Sequence, residues 1–363
     1  MTLLLVIVVF SGLVFVHEFG HFIAAKLMKI EVEEFGFGLP PRVVRLFHWK
    51  GTDFTLNALP IGGFVRPKGE NDPNVMDGLA AANPWKRLFV LISGPLMNIL
   101  TAIVVTSLII SMAGIAVPGT VLIGDVMDNS PAAEAGLVAE DRIIAINGVE
   151  TTTIKEAREL ILANVDQEMT LKIDRNGQIL DIVTVPSSSR TPEQGALGVG
   201  LTYPTRNASV VESIQGGFTY TSAQALTILY LPLGLIEGAI APEQARLIGM
   251  KGIYDIFDQA VEKDTAARVE QGVSGTQGTS SQSFYVLSMI STLSISLGVF
   301  NLLPIPALDG GRILFLLPEL LFKKRIPNKL ENYVNGVAMM LLIALMIFIN
   351  AMDFINPVNI QIP

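Results

Sequence analysis

The segment 1–25 is apolar and contains no ionisable side chain other than His17, Glu18 and His21. Residues four apart share one face of an α-helix, so the two imidazoles can bind one Zn²⁺. The carboxylate of Glu18 between them can take a proton from the attacking water. Packing of both histidines against backbone carbonyls is the structural alternative, but ionisable groups at membrane depth are costly to keep. The motif predicts a zinc peptidase site in lipid.

The composition of the chain is that of a membrane protein. Of its 363 residues 50% are hydrophobic and 16% are charged, and the mean hydropathy is +0.51. These values are too apolar for an ordinary soluble protein of this length. The net charge of −8 argues against nucleic acid as a partner, because binding phosphates requires a basic face. The chain has no cysteine, so any zinc must use nitrogen and oxygen ligands.

Four apolar stretches have about the length needed to cross a hydrocarbon core of roughly 30 Å. They are residues 3–27, 88–117, 284–307 and 334–351. A fifth stretch, 218–236, is diluted by polar residues, Pro232 and Gly234. It suits an interfacial or partly buried helix as well as a membrane span.

Basic residues predict the orientation, since lysine and arginine gather on the cytoplasmic side. They are concentrated between the first two spans and between the last two. Both termini should therefore be extracytoplasmic in a multi-pass protein of the cell inner (plasma) membrane. The first helix then runs inward and carries His17 and His21 toward the cytoplasmic side. The end of the third span reaches the same depth, which favours four spans over five.

The segment from Asn301 to Gly311 should form a broken helix end. Its two prolines cannot continue a helix, and its two glycines allow close backbone approach. Irregular backbone at membrane depth must be buried or line a watery cavity, so this segment should be a pocket wall. Asp309 is then a natural third ligand, with a helix cap as its alternative. Asn301 could donate a hydrogen bond to an oxyanion or to substrate, or link two helices.

These two motifs, together with Gly94-Pro-Leu-Met-Asn98, resemble the site-2 protease family of intramembrane zinc metalloproteases. The resemblance covers nearly the whole chain. It is strongest to the bacterial regulator-of-sigma-E-protease-like branch, which carries a PDZ domain outside the membrane. That branch cleaves membrane-spanning anti-sigma factors or remnant signal peptides.

The resemblance implies a role for each motif residue. His17, His21 and Asp309 would be zinc ligands, Glu18 the general base, and Asn301 a group that assists the tetrahedral intermediate. Asn98 would lie near the catalytic core, with a helix-to-helix hydrogen bond as its alternative.

Residues 53–66 alternate in character and contain Gly62-Gly63, which predicts a β-hairpin turning at the glycines. An exposed strand edge beside the zinc could hold an unwound substrate by strand addition, whereas an ordinary surface hairpin is the alternative. The family resemblance favours a membrane-associated hairpin that presents substrate. His48 is interpreted as an interfacial residue and not as a ligand.

From about residue 117 to 204 the sequence resembles a PDZ domain of the bacterial protease type. A capped helix after Ser130 and turns at Asn147-Gly148 and Asn176-Gly177 support an α+β domain. Such a domain could bind a peptide ligand by β-augmentation, with residues 195–200 as the first groove candidate, or exclude bulky substrates. The composition of residues 265–283, which is rich in Gly, Ser, Thr and Gln, predicts a mobile linker.

The predicted protein is therefore a polytopic α-helical membrane protein with four transmembrane helices, an inserted α+β PDZ domain and a membrane-associated β-hairpin. Its predicted divisions are 1–116 for the first two spans and the cytoplasmic β-loop, 117–204 for the extracytoplasmic PDZ domain, 205–283 for an interfacial helix and linker, and 284–363 for the last two spans.

The predicted function is intramembrane zinc endopeptidase, acting on single-span membrane proteins in regulated intramembrane proteolysis within the lipid bilayer. One alternative is a catalytically silent scaffold that binds partners through the PDZ domain. Loss of Glu18 or of a ligand would mark a scaffold, and none is missing. A metal transporter would need polar groups along several spans, whereas here they cluster at one depth.

Overall fold

The computed structural model describes residues 1–70, 72–190, 194–239, 247–274 and 284–356. The chain divides into two compact units. The first contains Met1–Ile109, Val210–Arg268 and the C-terminal part from Ser283, and the second is built mainly from Ile110–Ser209. Each unit is described by itself below.

The helices and strands follow one another along the chain in this order: α1 Thr2–Leu27, β1 Val32–Trp49, β2 Thr52–Pro67, α2 Pro84–Ala113, β3 Ile115–Ala116, β4 Val121–Val126, α3 Pro131–Glu134, β5 Arg142–Ile146, β6 Val149–Glu150, α4 Ile154–Ala163, β7 Met169–Arg175, β8 Gln178–Thr184, β9 Val199–Thr202, β10 Thr205–Arg206, α5 Val210–Ile236, α6 Met250–Ser274, α7 Tyr285–Leu302, α8 Asp309–Phe322 and α9 Asn328–Ile355.

Within the described residues, four helices are long and apolar enough to cross a membrane: α1, α2, α7 and α9. Their number and order confirm the predicted spans, but several ends differ. The third predicted span, 284–307, stops as a helix at Leu302. Leu303 adopts an extended backbone because a residue before proline is disfavoured in the helical region, and Pro304 follows it.

The ambiguous stretch 218–236 lies in α5, which packs along α2 and α7. A Cβ added at Gly217 would lie 2.2 Å from the Oγ of Ser107, so α5 and α2 are in close contact there. Ala225 and Ile228 pack against the buried cluster of Ala102, Ile295 and Val299. This packing favours the partly buried interpretation of α5.

The hairpin of β1 and β2 differs from the predicted one. The chain reverses at Lys50 and Gly51, whereas Gly62 and Gly63 lie inside β2. Both strands are so long that they bend, and Gly36 pairs with Phe64 on one side and with Thr55 on the other. The segment 32–39 therefore lies between 53–57 and 63–67, and the segment 63–67 forms one edge of the sheet. Residues 53–56 run parallel to 34–37, and residues 63–66 run antiparallel to them, so the chain also reverses between Asn57 and Gly63, beside the predicted glycine turn. The two arms of this reversal do not pair with each other in the described sheet, because 32–39 lies between them.

Aromatic side chains join the hairpin to α1. The ring of Phe35 lies 5.4 Å from Phe15 and 5.3 Å from Phe22, both in edge-on geometry. Pairs of this kind contribute about 0.5–1.5 kcal/mol each beyond the area they bury. Gly62 allows the close approach, since a Cβ there would lie 2.9 Å from Val14. The hairpin is thereby fixed against the helix that carries the histidine motif.

The link between α7 and α8 is a broken helix end, as predicted. The N–H of Ala307 donates to Asn335 Oδ1 of α9 at 3.0 Å, and Ala307 has a positive φ of 79°. A Cβ on Gly310 would lie 2.1 Å from the carbonyl oxygen of Leu303, and one on Gly311 2.3 Å from that of Ile305. Only glycine fits at these two positions, so the start of α8 is held tightly against the link.

Polar side chains cap two helices of the first unit. Asp353 of α9 is buried and accepts from the N–H of Gly249 at 2.7 Å, just before α6 begins. Asp264 of α6 accepts from the N–H groups of Tyr285 and Val286 at 3.0 and 3.1 Å. These carboxylates satisfy N–H groups that a helix start leaves unpaired.

The residues 265–274, predicted as linker, belong to α6, and those from 275 to 283 lie outside the described residues.

The second unit is an α+β domain. Its main sheet has the strand order β8-β7-β5-β4-β9, with β6 paired to β5. α4 begins with a capping box in which Thr153 and Glu156 satisfy each other's backbone N–H groups. Asn176 and Gly177 have φ values of 54° and 86°, as a tight turn between two strands requires. The buried carboxylate of Asp141 pairs with Arg175 at 2.7 Å and raises the pKa of the guanidinium.

An ion pair joins the start of α2 to α8. Arg87 Nη1 lies 2.7 Å from Glu319 Oε2, and the two side chains are 12% and 19% exposed. Substituting Glu319→Ala leaves Arg87 buried without its partner, which should lower the free energy of unfolding by about 3 kcal/mol. The double substitution Arg87→Leu with Glu319→Leu should recover most of the loss, since no charge remains buried.

Thermal unfolding of the detergent-purified protein measures these changes. Glu31→Ala is the control, because its pair with Lys68 is exposed and should leave Tm nearly unchanged. Equal Tm values for Glu319→Ala and the wild type would contradict a structural role for the pair.

Candidate metal centre

α1 brings His17 and His21 together on one buried face. Their ring centroids are 4.8 Å apart, and the two Nε2 atoms are 3.1 Å apart. The helix has no cap or breaker near this turn, so the i and i+4 spacing alone places both imidazoles. The structure therefore confirms the prediction that the side chains of His17 and His21 lie together.

Asp309 reaches the same point from a distant part of the chain. It is the first residue of α8, and its Oδ2 lies 3.1 Å from His17 Nε2 and 3.4 Å from His21 Nε2. The donor atoms of the three residues lie within 4.8 Å of one another. The broken helix end provides this position, because it starts α8 at the depth of the histidines.

The three donor atoms fit a zinc ion in spacing and in chemistry. Four ligands about 2.0–2.2 Å from zinc in a tetrahedron are separated from one another by roughly 3.3–3.6 Å. The separations here are 3.1, 3.1 and 3.4 Å. His21 Nδ1 lies 2.7 Å from the carbonyl oxygen of Val90, which only accepts, so Nδ1 carries the proton. The Nε2 lone pair of His21 then faces the cluster.

Glu18 is held by the hairpin. Its Oε2 accepts a hydrogen bond from the N–H of Val65 at 3.0 Å. Val65 lies in the edge segment 63–67 of the sheet. The sequence predicted a hairpin near the zinc site but not this contact, because the pairing of the bent strands could not be derived from their residues.

α2 packs directly against the histidine face of α1. A Cβ on Gly20 would lie 2.4 Å from the carbonyl oxygen of Ser93, so the two backbones touch. A Cβ on Gly94 would lie 2.3 Å from His21 Nε2, so the imidazole occupies the space that a side chain would need. Asn98 Nδ2 lies 3.4 Å from His17 Nδ1. The sequence 94–98 therefore lines the centre.

Asn301 and His48 lie outside the cluster of donor atoms. Asn301 is in the last turn of α7 and is partly exposed. His48 is exposed on the hairpin, where its Nδ1 lies 2.8 Å from Asp53 Oδ1. The exposed position of His48 fits its interpretation as an interfacial residue.

Sequence reasoning missed the ion pairs that hold α8. Arg312, one turn after Asp309, pairs with Glu70 of the loop that follows the hairpin. Arg87 and Glu319 form the second pair. The partners are separated by 242 and 232 residues, and no local pattern indicates such pairing. Together they bind the helix of Asp309 to the part of the unit that carries the histidines.

The fold and the cluster define a class: a membrane protein with a buried His-His-carboxylate centre and a glutamate beside it. Comparison with known proteins agrees with this class. The profile of Peptidase family M50 matches residues 5–345.

Bacterial relatives span nearly the same length. A protein of Clostridium acetobutylicum is 29% identical over 98% of both chains. One of Campylobacter jejuni is 31% identical over 94% of this chain and 89% of its own, and one of Clostridium perfringens is 31% identical over 99% and 100%. Their names describe each as a “Putative zinc metalloprotease”.

The chain belongs to Peptidase family M50, the site-2 proteases. It is a zinc metalloprotease of the membrane, and it acts on membrane proteins within the bilayer.

Replacing Gly94 should disturb the centre through one atom. In Gly94→Ala the new methyl group overlaps the imidazole of His21, which must rotate away from the cluster. We expect the purified variant to contain clearly less zinc than the wild type, as measured by elemental analysis. Gly12→Ala is the matched control, because nothing lies within 4 Å of a Cβ there. Full zinc content in Gly94→Ala would argue against His21 as a ligand.

Proposed function

We propose that His17, His21 and Asp309 hold the zinc, that Glu18 is the general base, and that the protein hydrolyses peptide bonds in membrane-spanning substrates. The observation that carries the proposal is the meeting of three donor atoms from α1 and α8 at separations that suit zinc. Two imidazoles and one carboxylate leave a fourth position open, as catalytic zinc sites require.

Zinc bound at this centre would polarise the scissile carbonyl and lower the pKa of the attacking water. Glu18 takes the proton of that water and delivers it to the leaving amine. The N–H of Val65 holds one carboxylate oxygen, so the other is free to face the water. The hydrogen bond thus orients the base without consuming both of its oxygens.

Asn301 is proposed to donate a hydrogen bond to the oxygen on which charge develops, or to the substrate backbone. Its side chain has no hydrogen-bond partner among the described residues, and it lies in the last turn of α7, eight positions before Asp309. A positioned donor at such a point stabilises the transition state more than the ground state.

Strand addition to the hairpin explains how a helical substrate would be cut. A peptide bond inside a helix is shielded, so the substrate must be extended near the zinc. The segment 63–67 pairs within the sheet on one side only, and its Val65 N–H is directed at Glu18. A substrate strand that lies along this edge passes beside the base.

The substrates are proposed to be single-span membrane proteins, of the anti-sigma-factor or remnant signal-peptide type, cleaved in regulated intramembrane proteolysis. The basic residues of the loops support an active site toward the cytoplasmic side of the plasma membrane, with both termini outside.

The α+β unit is proposed to be a PDZ domain that binds a peptide through a sheet edge. The edge strand β9, which follows residues 195–198, supports this assignment.

Cleavage of a short single-span substrate by the purified protein tests the reaction. Glu18→Gln should reduce turnover by a factor of roughly 10²–10⁴ and leave zinc content unchanged, because the amide cannot accept the proton. Removal of zinc with a chelator should abolish cleavage, and zinc addition should restore it. Undiminished turnover in Glu18→Gln would overturn the mechanism, and absence of cleavage by the zinc-loaded wild type on a panel of such substrates would favour the scaffold.

Asp309→Ala tests the third ligand. The substitution leaves two imidazoles, and the purified protein should retain less than one zinc per chain. Asp353→Ala is the matched control, since it removes a buried carboxylate of the same unit that caps α6 and lies outside the centre. Unchanged zinc content in Asp309→Ala would remove Asp309 from the ligand set.

Helix stability in the substrate should control the rate if the substrate is bound as a strand. Placing a glycine or proline beside the cleaved bond should raise kcat/KM over a matched leucine substrate, because these residues destabilise a helix. Cleavage rates of paired substrates measure the effect. Faster cleavage of the leucine substrate would contradict binding in an extended form.

A further inference from the structure

Asn98 is a completely buried asparagine whose amide is only half satisfied. It lies in the middle of α2 with 0% exposure. Its Nδ2 faces His17 Nδ1 at 3.4 Å, a long contact, while its Oδ1 is buried and has no hydrogen-bond partner. Buried amide oxygens are normally paired, so this arrangement requires an explanation.

The proton on His17 decides which end of the amide should face it. Nε2 of His17 points at His21 Nε2 and Asp309 Oδ2, as a zinc ligand would. A neutral imidazole that donates its Nε2 lone pair to a metal carries its proton on Nδ1. That N–H needs an acceptor, and an amide nitrogen cannot accept. The amide oxygen of Asn98 has nearly the same shape as the nitrogen and can take its place.

We propose that Asn98 is a positioning residue for His17, and that its amide oxygen accepts the Nδ1–H of His17 when the centre holds zinc. The inference rests on the proposed role of His17 as a ligand. Inverting the amide moves its nitrogen to the place where Oδ1 lies now. The stabilisation that results from the inversion therefore comes only from the new hydrogen bond with His17. Asn98 then fixes the tautomer and the ring plane of His17.

α2 also supplies a hydrogen-bond acceptor for the second histidine, His21. The carbonyl oxygen of Val90 accepts from His21 Nδ1 at 2.7 Å. Val90, Gly94 and Asn98 are spaced at i, i+4 and i+8, so they follow one face of α2. An acceptor therefore stands at each end of this row, and the glycine between them gives the His21 ring its space. One helix face would orient both imidazoles.

The turn of α2 that carries Asn98 is itself anchored. Ser294 of α7 is fully buried and donates its hydroxyl to the backbone oxygen of Asn98 at 2.7 Å. This contact fixes the backbone but leaves the amide side chain to His17. A residue that served only to link helices would direct its side chain at a neighbouring helix backbone, as Ser294 does.

Zinc affinity of three full-length variants tests the proposal by competition with a chelator. Asn98→Leu keeps a similar volume but has no acceptor, and it should weaken zinc binding 10- to 100-fold, the usual effect of losing such a partner. Asn98→Asp supplies a carboxylate acceptor and should bind zinc within a few-fold of the wild type. Asn98→Ala replaces the leucine variant if leucine does not fit, with the same expected loss.

Thr106→Val is the matched control. Thr106 is also a buried polar residue of α2, and its hydroxyl lies 2.7 Å from Ser291 Oγ of α7, away from the donor atoms. The variant should lose thermal stability and keep its zinc affinity. If Asn98→Leu and Asn98→Asp weaken zinc binding equally, or if neither does, Asn98 has a packing role only and the proposal is overturned.

Imidazole nitrogen spectra give a readout independent of activity. The chain has 3 histidines, so ¹⁵N-labelled imidazoles can be assigned by substitution. Zinc-loaded wild type and Asn98→Asp should show a hydrogen-bonded Nδ1–H on His17, and Asn98→Leu should lose that signature. His17→Ala separates the proposed ligand set from the proposed role of Asn98. If His17→Ala keeps its zinc, the ligand set is wrong. If His17→Ala loses zinc and Asn98→Leu does not, only the role of Asn98 is wrong.

Discussion

Polar groups placed among lipid-facing helices must satisfy one another, and the architecture of the first unit follows from this constraint. Water is absent from the hydrocarbon region, so an unpaired imidazole or carboxylate there is expensive. His17, His21 and Asp309 therefore need either each other or a cation, and the helices that carry them must approach within contact distance. The requirement explains why α1, α2 and the start of α8 meet at one point.

Glycines provide that approach. Gly20 brings α1 against the backbone of α2, and Gly298 brings α7 against Pro95, where an added Cβ would lie 3.0 Å from the carbonyl oxygen. Without a strong hydrophobic drive between helices in lipid, such close packing is a principal source of association. The same contacts leave little freedom at the centre, which keeps its donor atoms at fixed spacing.

Much of this arrangement could be predicted from the sequence, because the relevant signals are local. The histidine pair follows from helical periodicity, the four spans from hydropathy, and the broken helix before Asp309 from its prolines and glycines. The fold of the second unit was indicated by its turns and caps.

The remaining features depend on distant partners. Long strands can pair in several registers, so the reversal at Lys50 and the contact between Val65 and Glu18 could not be derived. The pairs Arg87–Glu319 and Glu70–Arg312 join residues with no sequence relation. Asn98 was recognised as a neighbour of the core, but its half-satisfied amide is visible only once α1 and α2 are docked.

The separation of His17 from Asp309 by 292 residues has a consequence for biosynthesis. At roughly 5–20 residues per second, the ribosome needs on the order of 15–60 s to make the chain between them. During that interval the nascent chain holds the two imidazoles and the glutamate in the membrane but lacks the carboxylate of α8. A peptidase assembled in this order stays incomplete while it and its neighbours are being inserted, and the three donor atoms come together only after α8 has been made.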